Sequence, residues 1–275
     1  MENIIKAIVY GIIQGLTEFI PISSTAHIRV IPALLGWSDP GAAFTAVIQI
    51  GTLIATLIYF REDIGKMIMG FLNAFKTKQF LEDPYSRLFL LIIVGTIPIS
   101  IFGLAFKRFI EGGARGLYVI SSSLILLAII LYIAEKISVK KKELKEITVK
   151  DGIIIGLAQT LALIPGSSRS GVTITAGLFC GLKRDVTARY SFLLSLPAVG
   201  LSGLYELYSE RKELLHENTL ALIISTLVSG FVGYFAIAFL INYLKTRSNL
   251  LFIIYRLALG VLILILLSLG ILHNI

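Results

Sequence analysis

The chain is short of charge, of cysteine and of histidine. Only 15% of its 275 residues are charged, while 56% are hydrophobic and the mean hydropathy is +0.87. A typical soluble domain is about 25% charged. These values exclude a disordered chain, a collagen-like one and an ordinary cytosolic enzyme. The single cysteine, Cys180, leaves no partner for an intrachain disulfide and no cysteine metal cluster. The three histidines are never spaced i, i+4, so there is no H-E-x-x-H zinc site. No Gly-rich loop ends in Gly-Lys-Ser/Thr, so ATP coupling has no support. Glu2 and Lys6 make a poor leader, and no cleaved signal peptide is expected. The formal net charge is +8, but Lys and Arg fall between apolar blocks instead of lining one face. Nucleic acid is therefore not an expected partner, and membrane topology with anionic headgroups accounts for the basic residues.

What is present is apolar sequence in membrane-sized blocks. Six segments are long enough to cross a bilayer, near 40–60, 88–106, 117–134, 189–208, 219–244 and 250–271. Two more apolar stretches are interrupted. One, 4–36, breaks at Pro21-Ile22-Ser23-Ser24-Thr25; the other, 152–182, breaks at Pro165-Gly166-Ser167-Ser168-Arg169-Ser170-Gly171. Each half is too short to span, which predicts a helix, a polar turn and a returning helix. Such a re-entrant hairpin survives at membrane depth only when buried in protein or lining a wet cavity.

The basic residues sort the loops. The 61–87 and 136–150 loops, with Lys183, Arg184, Arg189, Lys245 and Arg247, carry 16 basic residues; the other side carries Lys6, Lys107, Arg108, Arg115, Arg211 and Lys212. The positive-inside rule makes the richer side cytoplasmic and puts both termini outside. The first hairpin then enters from outside and the second from inside, each followed by three spans. The expected architecture is all-α: one membrane domain over 1–275, in which halves 1–135 and 150–275 form an inverted-topology repeat joined by the basic loop 136–150. Gly11-Ile12-Ile13-Gln14 leads to Ile20-Pro21-Ile22-Ser23-Ser24, and Gly156-Leu157-Ala158-Gln159 leads to Ile164-Pro165-Gly166-Ser167-Ser168. Both read G-x-x-Q then I-P-x-S-S, with a one-residue difference in spacing.

Ionisable residues at membrane depth are costly and mark function. The first break offers Glu18, His27 and Arg29 with Ser23, Ser24 and Thr25; the second offers Arg169 with Ser167, Ser168, Ser170 and Thr173. Meeting tips would pool a carboxylate, an imidazole, a guanidinium and hydroxyls, a set suited to a phosphate ester. Arg169 brings a planar fork for phosphate oxygens, and the hydroxyls and N–H groups of 166–171 can cradle the rest. Glu18 can hold a divalent cation or move a proton, and His27 can be acid, base or nucleophile. Taken singly, each serine reads as a helix cap, His27 as a packing residue, and Glu18 as half of an ion pair with Arg29 or Arg169. Arg256, alone in an apolar run, reads as a residue snorkelling to the cytoplasmic face. His216 and His273 lie in an outer loop and at a terminus. An acid-phosphatase type of lipid phosphatase is not expected, because Ser168-Arg169 is followed by no histidine before His216.

Gln14-Gly15-Leu16-Thr17-Glu18-Phe19-Ile20-Pro21-Ile22-Ser23-Ser24-Thr25-Ala26-His27 resembles the first signature of the undecaprenyl-diphosphatase, or bacitracin-resistance, family. Pro165-Gly166-Ser167-Ser168-Arg169-Ser170-Gly171-Val172-Thr173 resembles the second. Ile48 to Gly51, Ser191 to Pro197 and Ile254-Tyr255-Arg256 are similar to further family stretches, so the resemblance runs nearly the full length. It implies removal of the terminal phosphate of undecaprenyl diphosphate at a site open to the outer face of the plasma membrane. The products are the monophosphate carrier lipid and inorganic phosphate, and the lipid is recycled for cell-wall synthesis. It also implies a divalent cation, Mg2+ or Ca2+. Carried over, Glu18 is the key acid, Ser24 and His27 are nucleophile candidates, and Arg169, Ser168, Ser170 and Thr173 bind the diphosphate. The sequence departs from the family in three places. Gln14 stands where an acid is frequent, Thr45 replaces a frequent Glu, and Ala26 replaces the usual Gly. The metal site, Glu18 with Gln14, is therefore thin, and substrate oxygens must supply more ligands.

The expected mechanism is attack on the terminal phosphorus by Ser24 with His27 as base, or by His27 itself; the Ser-x-x-His spacing leans to Ser24. Ser23, Thr25, Gly166 and Ser167 complete the expected substrate contacts. The alternative is an inverted-repeat transporter or lipid flippase. A polyprenyl diphosphate lipid and the membrane are the expected partners. Gly200, Ser202 and Gly203 would allow close helix contacts in a homodimer.

Overall fold

The first apolar run breaks where the sequence sets Pro21 and two serines. In the computed structural model, which describes residues 2–112, 115–210 and 219–274, helix α1 (Glu2–Phe19) ends in a short turn and α2 (Ser24–Leu34) follows. Ser23 caps α2 in an unusual backbone conformation, φ 75° and ψ 100°, and its hydroxyl accepts from the Ala26 N–H at 3.3 Å. After α2 the chain is back beside the middle of α1. The Tyr10 hydroxyl donates to the Ser38 carbonyl at 3.1 Å, and its ring meets Trp37 edge-on.

The second break is built the same way. A capping box between Thr148 and Asp151 opens α8 (Val149–Ala158), which tightens into a 3-10 turn over Gln159–Leu163 before α9 (Arg169–Phe179). Ser168 caps α9 with φ 65° and ψ 105°, and accepts from the Gly171 N–H at 3.2 Å. The chain again returns to where it entered: the Lys142 N–H donates to the Gly181 carbonyl, and the Lys183 N–H to the Lys142 carbonyl.

These caps set the true register of the repeat. Gly11, Gln14 and Ser23 correspond to Gly156, Gln159 and Ser168, each 145 residues further on, and α2 and α9 are both 11 residues long. The I-P-x-S-S match is therefore one residue out of structural register. It pairs Ser24 with Ser168 by letter, whereas the backbone pairs Ser24 with Arg169. The 3-10 turn absorbs the difference, since it advances the chain further per residue than an α-helix.

The remaining helices are α3 (Gly41–Tyr59), α4 (Arg61–Thr77), α5 (Pro84–Ala105), the short α6 (Lys107–Glu111), α7 (Leu117–Ile137), α10 (Arg184–Ser209), α11 (Thr219–Thr246) and α12 (Leu250–Ser268). Five of them, α3, α5, α7, α11 and α12, are long and apolar enough to cross a membrane. Their outward faces carry large apolar side chains such as Ile101, Leu126, Leu227, Phe231 and Leu262, as a lipid-facing girdle requires. The protein is thus an all-helical, multi-pass membrane protein. The expected sixth span, α10, is 26 residues long but includes Arg184, Asp185, Arg189 and Glu206, so composition does not single it out. Its middle is enclosed: Tyr190 to Ser195 are all buried, between α3, α5 and α9.

The expected loop over 61–87 contains a 17-residue helix, α4. Glu62 and Asp63 in its first turn and Lys76 in its last complement the helix dipole, and Lys78 closes it in the left-handed region. Met67 and Ala74 are buried, and Phe71 stacks on Phe89 of α5 at 4.5 Å, while Ile68, Met69, Leu72 and Phe75 face outward. The scattered charges mask that periodicity in the sequence.

Helix contacts follow the repeat. α1 packs on α11 and α8 packs on α5, through the paired glycine positions. Gly156 lies so close to α5 that a Cβ would stand 2.5 Å from the Gly95 Cα. In a membrane such backbone proximity is a main source of helix affinity. Gly200 and Gly203 face Leu53 and Ile50 of α3 within the same chain, so they serve internal packing and carry no argument for a dimer.

The loops gather at the two ends of α7. At one end Glu135 accepts from Arg184 Nε at 2.6 Å and Asn249 Nδ2 at 2.9 Å, Asp63 binds Arg189, and Arg87 donates to the carbonyls of Leu81, Lys145 and Ile147. Glu143 pairs with Lys183 there and raises its ammonium pKa. At the other end Asp39 accepts from Arg29 at 2.5 Å and from Arg115 at 3.1 Å. Both termini lie at this second end: Lys6 sits over the Trp37 ring, and Asn274 accepts from the Tyr118 N–H. Arg211, Lys212 and His216 fall outside the described residues.

Candidate active site

The two hairpin tips meet at the floor of a cavity of about 470 Å³, walled by α3, α5 and α10. Glu18, Ser23, Ser24 and Thr25 line it from the first tip; Gly166, Ser167, Ser168 and Arg169 line it from the second. Above this polar floor the walls are largely apolar, with Ile99, Leu104, Leu163, Val199 and Leu201 beside Ser100 and Ser202. Lys107 and Glu206 also line it. Gln49 and Ala42 of α3 both line the cavity, and the seven-residue step from one to the other means that it extends about 10 Å along that helix.

Glu18 is the hub. Its Oε1 accepts from Arg169 Nη2 at 2.7 Å, the ion pair joining the two tips. Its Oε2 accepts from Gln14 Nε2 at 2.8 Å, from Ser24 Oγ at 3.0 Å and from Gln49 Nε2 at 3.4 Å. Glu18 is 6% exposed, so its charge is stabilised almost wholly by these donors. Of the two ion pairs open to Glu18 in the sequence, Arg169 forms one, while Arg29 pairs with Asp39.

Arg169 is not saturated. Its Nη1 is buried with no partner, and so is Ser167 Oγ. Two donors are thus held at the floor without an acceptor, at the start of α9, whose N-terminus adds positive potential. The turn that presents them is tightly specified. Gly166 has φ +89°, and a Cβ there would stand 2.5 Å from the Ile120 carbonyl oxygen. Ser123 of α7 donates to the Pro165 carbonyl at 2.5 Å. Positive φ at Ser23 and Ser168 is strained backbone of the kind functional sites retain.

Four of the expected site residues stand behind the floor. Gln14 is fully buried and reaches the cavity only through Glu18. Ser170 bonds to Ser168 Oγ, and Thr173 bonds to the Arg169 carbonyl and to Ser191 of α10 at 2.6 Å. His27 does not bond to Ser24. Its Nδ1 donates to the Ser23 carbonyl at 2.7 Å, which leaves Nε2 to accept from the Tyr255 hydroxyl at 2.7 Å, with the two rings stacked. The Ser24 hydroxyl turns to Glu18 instead.

Arg256 corrects the snorkelling expectation. It is fully buried beneath the second tip, with Nη2 donating to the Ser167 carbonyl at 2.9 Å. Its Nε and Nη1 have no partner. The α12 backbone holds it at the depth of Ser123 and Ser167, too far inside the bundle for its head to reach water. Gln49 and Tyr255 also escaped the sequence reading of the site. Both sit in the stretches that resemble the family, and that was the available signal.

Among the described residues, no three His, Cys, Asp or Glu side chains gather as a metal-binding group. Among the described residues of the tips, Glu18 is the one carboxylate that lines the cavity. Such a donor set suits a hard cation that takes most of its ligands from substrate and water, as Mg2+ does beside phosphates.

Comparison with known proteins gives one consistent result. The family described as "Bacitracin resistance protein BacA" matches residues 7–262. The chain is 55% identical over 278 residues to an undecaprenyl-diphosphatase of Chloroherpeton thalassium, an alignment covering 98% of each chain. It is 53% identical over 268 residues to the protein of that name in Chlorobium phaeobacteroides, covering 94% of this chain and 95% of the relative. With that of Myxococcus xanthus it shares 51% identity over 268 residues, 98% of this chain and 90% of the relative.

Proposed function

The chain belongs to the bacitracin resistance protein BacA family, and from that premise we propose that it hydrolyses the terminal phosphate of undecaprenyl diphosphate. One observation carries the reading onto these residues. Glu18 holds Ser24 Oγ on one carboxylate oxygen and Arg169 on the other, beside two unpartnered donors, under apolar walls. That arrangement fits a phosphate at the floor with a hydrocarbon chain attached. The transporter alternative is not favoured, because the relatives carry a hydrolase name.

In this mechanism Arg169 Nη1, Ser167 Oγ and the N–H groups that open α9 take the terminal phosphate. Ser24 Oγ attacks its phosphorus, and the hydroxyl proton passes to Glu18 Oε2. The bond from phosphorus to the bridging oxygen breaks, and the lipid monophosphate leaves with the electron pair. Glu18 returns its proton as water hydrolyses the phosphoserine, releasing inorganic phosphate and restoring Ser24. Positioning and electrostatics do most of such catalysis. His27 then acts by fixing the Ser23 carbonyl and with it the Ser24 turn, while Gln14 and Gln49 orient Glu18. A divalent cation held by Glu18 and the diphosphate would neutralise charge on the phosphoryl and leaving oxygens.

The membrane arrangement we favour has α3, α5, α7, α10, α11 and α12 as six spans in the plasma membrane, with two re-entrant hairpins between them. The common 145-residue register supports an inverted repeat. The excess of basic residues at the Glu135 end supports a cytoplasmic position for that end. The termini and the open end of the cavity then face outward. Phosphate release from polyprenyl diphosphates of several lengths, in detergent and without any gradient, tests the activity. No release, or release only under a gradient, would overturn it.

A further inference from the structure

A second charged group lines the same cavity, on α6 and α10 and away from the hairpin tips. Lys107, at the start of α6, pairs its Nζ with Glu206 Oε1 at 2.9 Å. The same ammonium lies 4.5 Å from the centre of the Tyr205 ring. All three residues line the cavity. The Glu206 side chain is 11% exposed and that of Lys107 24%, so the pair faces the cavity and not open water.

An ion pair on a largely apolar wall needs a reason. As a structural tie it is weak, because the desolvation of both groups offsets most of their attraction. It lines the same cavity as the floor, so a ligand that fills the cavity meets it. A phosphate dianion arriving there meets an ammonium that pairs with the Glu206 carboxylate and lies over the Tyr205 ring. The anion can replace the carboxylate as the partner of Lys107, since it brings more charge and more acceptor oxygens. Tyr205 keeps the ammonium in place while the partner changes. Glu206, displaced, then repels the anion and prevents it from being trapped.

We propose that Lys107, with Glu206 and Tyr205, forms a transit site for phosphate dianions on the wall of the cavity. There Glu206 and the anion exchange as partners of the ammonium. The site takes either the diphosphate headgroup of the lipid on its way in or the inorganic phosphate released from it. The inference rests on the diphosphatase reading, and measurable turnover by the unaltered protein establishes that reading before any variant is compared.

The test is steady-state kinetics on the full-length protein carrying K107M, E206Q or both, with inorganic phosphate as the inhibitor. For headgroup capture, K107M raises KM for the lipid diphosphate roughly 3- to 10-fold with little change in kcat. For product exit, K107M weakens inhibition by phosphate by a similar factor. E206Q moves the same parameter the opposite way, because the Glu206 carboxylate no longer competes for the ammonium. The double variant separates this from a structural tie. It removes both charges of the pair together, so a mere tie predicts recovery to wild-type KM and phosphate inhibition. The transit site predicts that the K107M defect persists in it. Recovery in the double variant, or wild-type KM and wild-type phosphate inhibition in K107M, overturns the proposal.

Discussion

Ser24 and Arg169 occupy the same place in the two hairpins, the first residue after a strained serine cap, and they grip opposite oxygens of one carboxylate. Ser24 Oγ lies 3.0 Å from Glu18 Oε2, and Arg169 Nη2 lies 2.7 Å from Glu18 Oε1. The side chain that would attack the phosphorus and the one that would hold the phosphate are therefore aligned through a common partner.

Removing either side of that partnership should stop turnover. Glu18→Gln keeps the shape and loses the acceptor for the Ser24 proton. Arg169→Ala loses both the ion pair and the donor to phosphate. Each is expected to lower phosphate release by the purified protein more than about 100-fold. Near-normal rates in both would remove the site from these residues.

Ser24 and His27 should separate. Ser24→Ala is expected to cost more than about 1,000-fold, as loss of a nucleophile does. His27→Ala removes a hydrogen bond to the Ser23 carbonyl and should cost only about 10- to 30-fold. Rapid quenching with labelled substrate should trap phosphate on the wild-type protein and none on Ser24→Ala. Equal, complete loss in the His27 variant would return the nucleophile or base role to the imidazole.

Arg256→Met should divide activity from stability. The guanidinium is buried with two nitrogen groups unpartnered, so its removal relieves a desolvation cost. Thermal unfolding in detergent should shift little or upward. The Ser167 carbonyl loses its donor, and kcat/KM should fall about 10- to 100-fold as the turn loosens. A lowered melting temperature with full activity would make Arg256 a scaffold residue alone.

Gly166 and Gly36 both have positive φ, yet their alanine variants should differ. Around Gly36 there is open space, so Gly36→Ala should cost about 1 kcal/mol from backbone strain alone. Gly166→Ala adds a contact at 2.5 Å with the Ile120 carbonyl oxygen and should cost about 2 kcal/mol or more. Comparing the two melting curves in one detergent checks this.

A chelator should abolish or sharply reduce turnover while leaving the melting temperature of the substrate-free protein unchanged. A cation drawn in with the diphosphate has no folded site to stabilise beforehand. A large thermal shift on chelation would point to a resident metal instead.

Much of this was legible in the sequence, and the reasons are specific. Length and hydropathy gave the long helices, and the Pro-Ser interruptions gave both hairpins, because chain breaks are local chemistry. The residues of the floor were legible as the few ionisable and hydroxyl groups at membrane depth. The bonds between them were not, since nothing in the spacing says that Ser24 turns to Glu18 while His27 turns to Tyr255, 228 residues away. Arg256 was misread because an apolar run reports that a residue is within the bilayer, not which side of the helix it faces. α4 was missed because its charges obscured its period. The repeat was found by letters but aligned one residue out, because letters do not record a 3-10 turn.

The 145-residue register has a further meaning. Two identical chains related by a twofold axis must place the same residue at equivalent points. Such a pair would offer two serines or two arginines, either two nucleophiles with no anion holder or two anion holders with no nucleophile. Joining the halves in one chain lifts that restriction while keeping the backbone that aims both positions at the same spot. The two matching caps thus present chemically unlike side chains to one carboxylate, and one chain carrying both hairpins permits that.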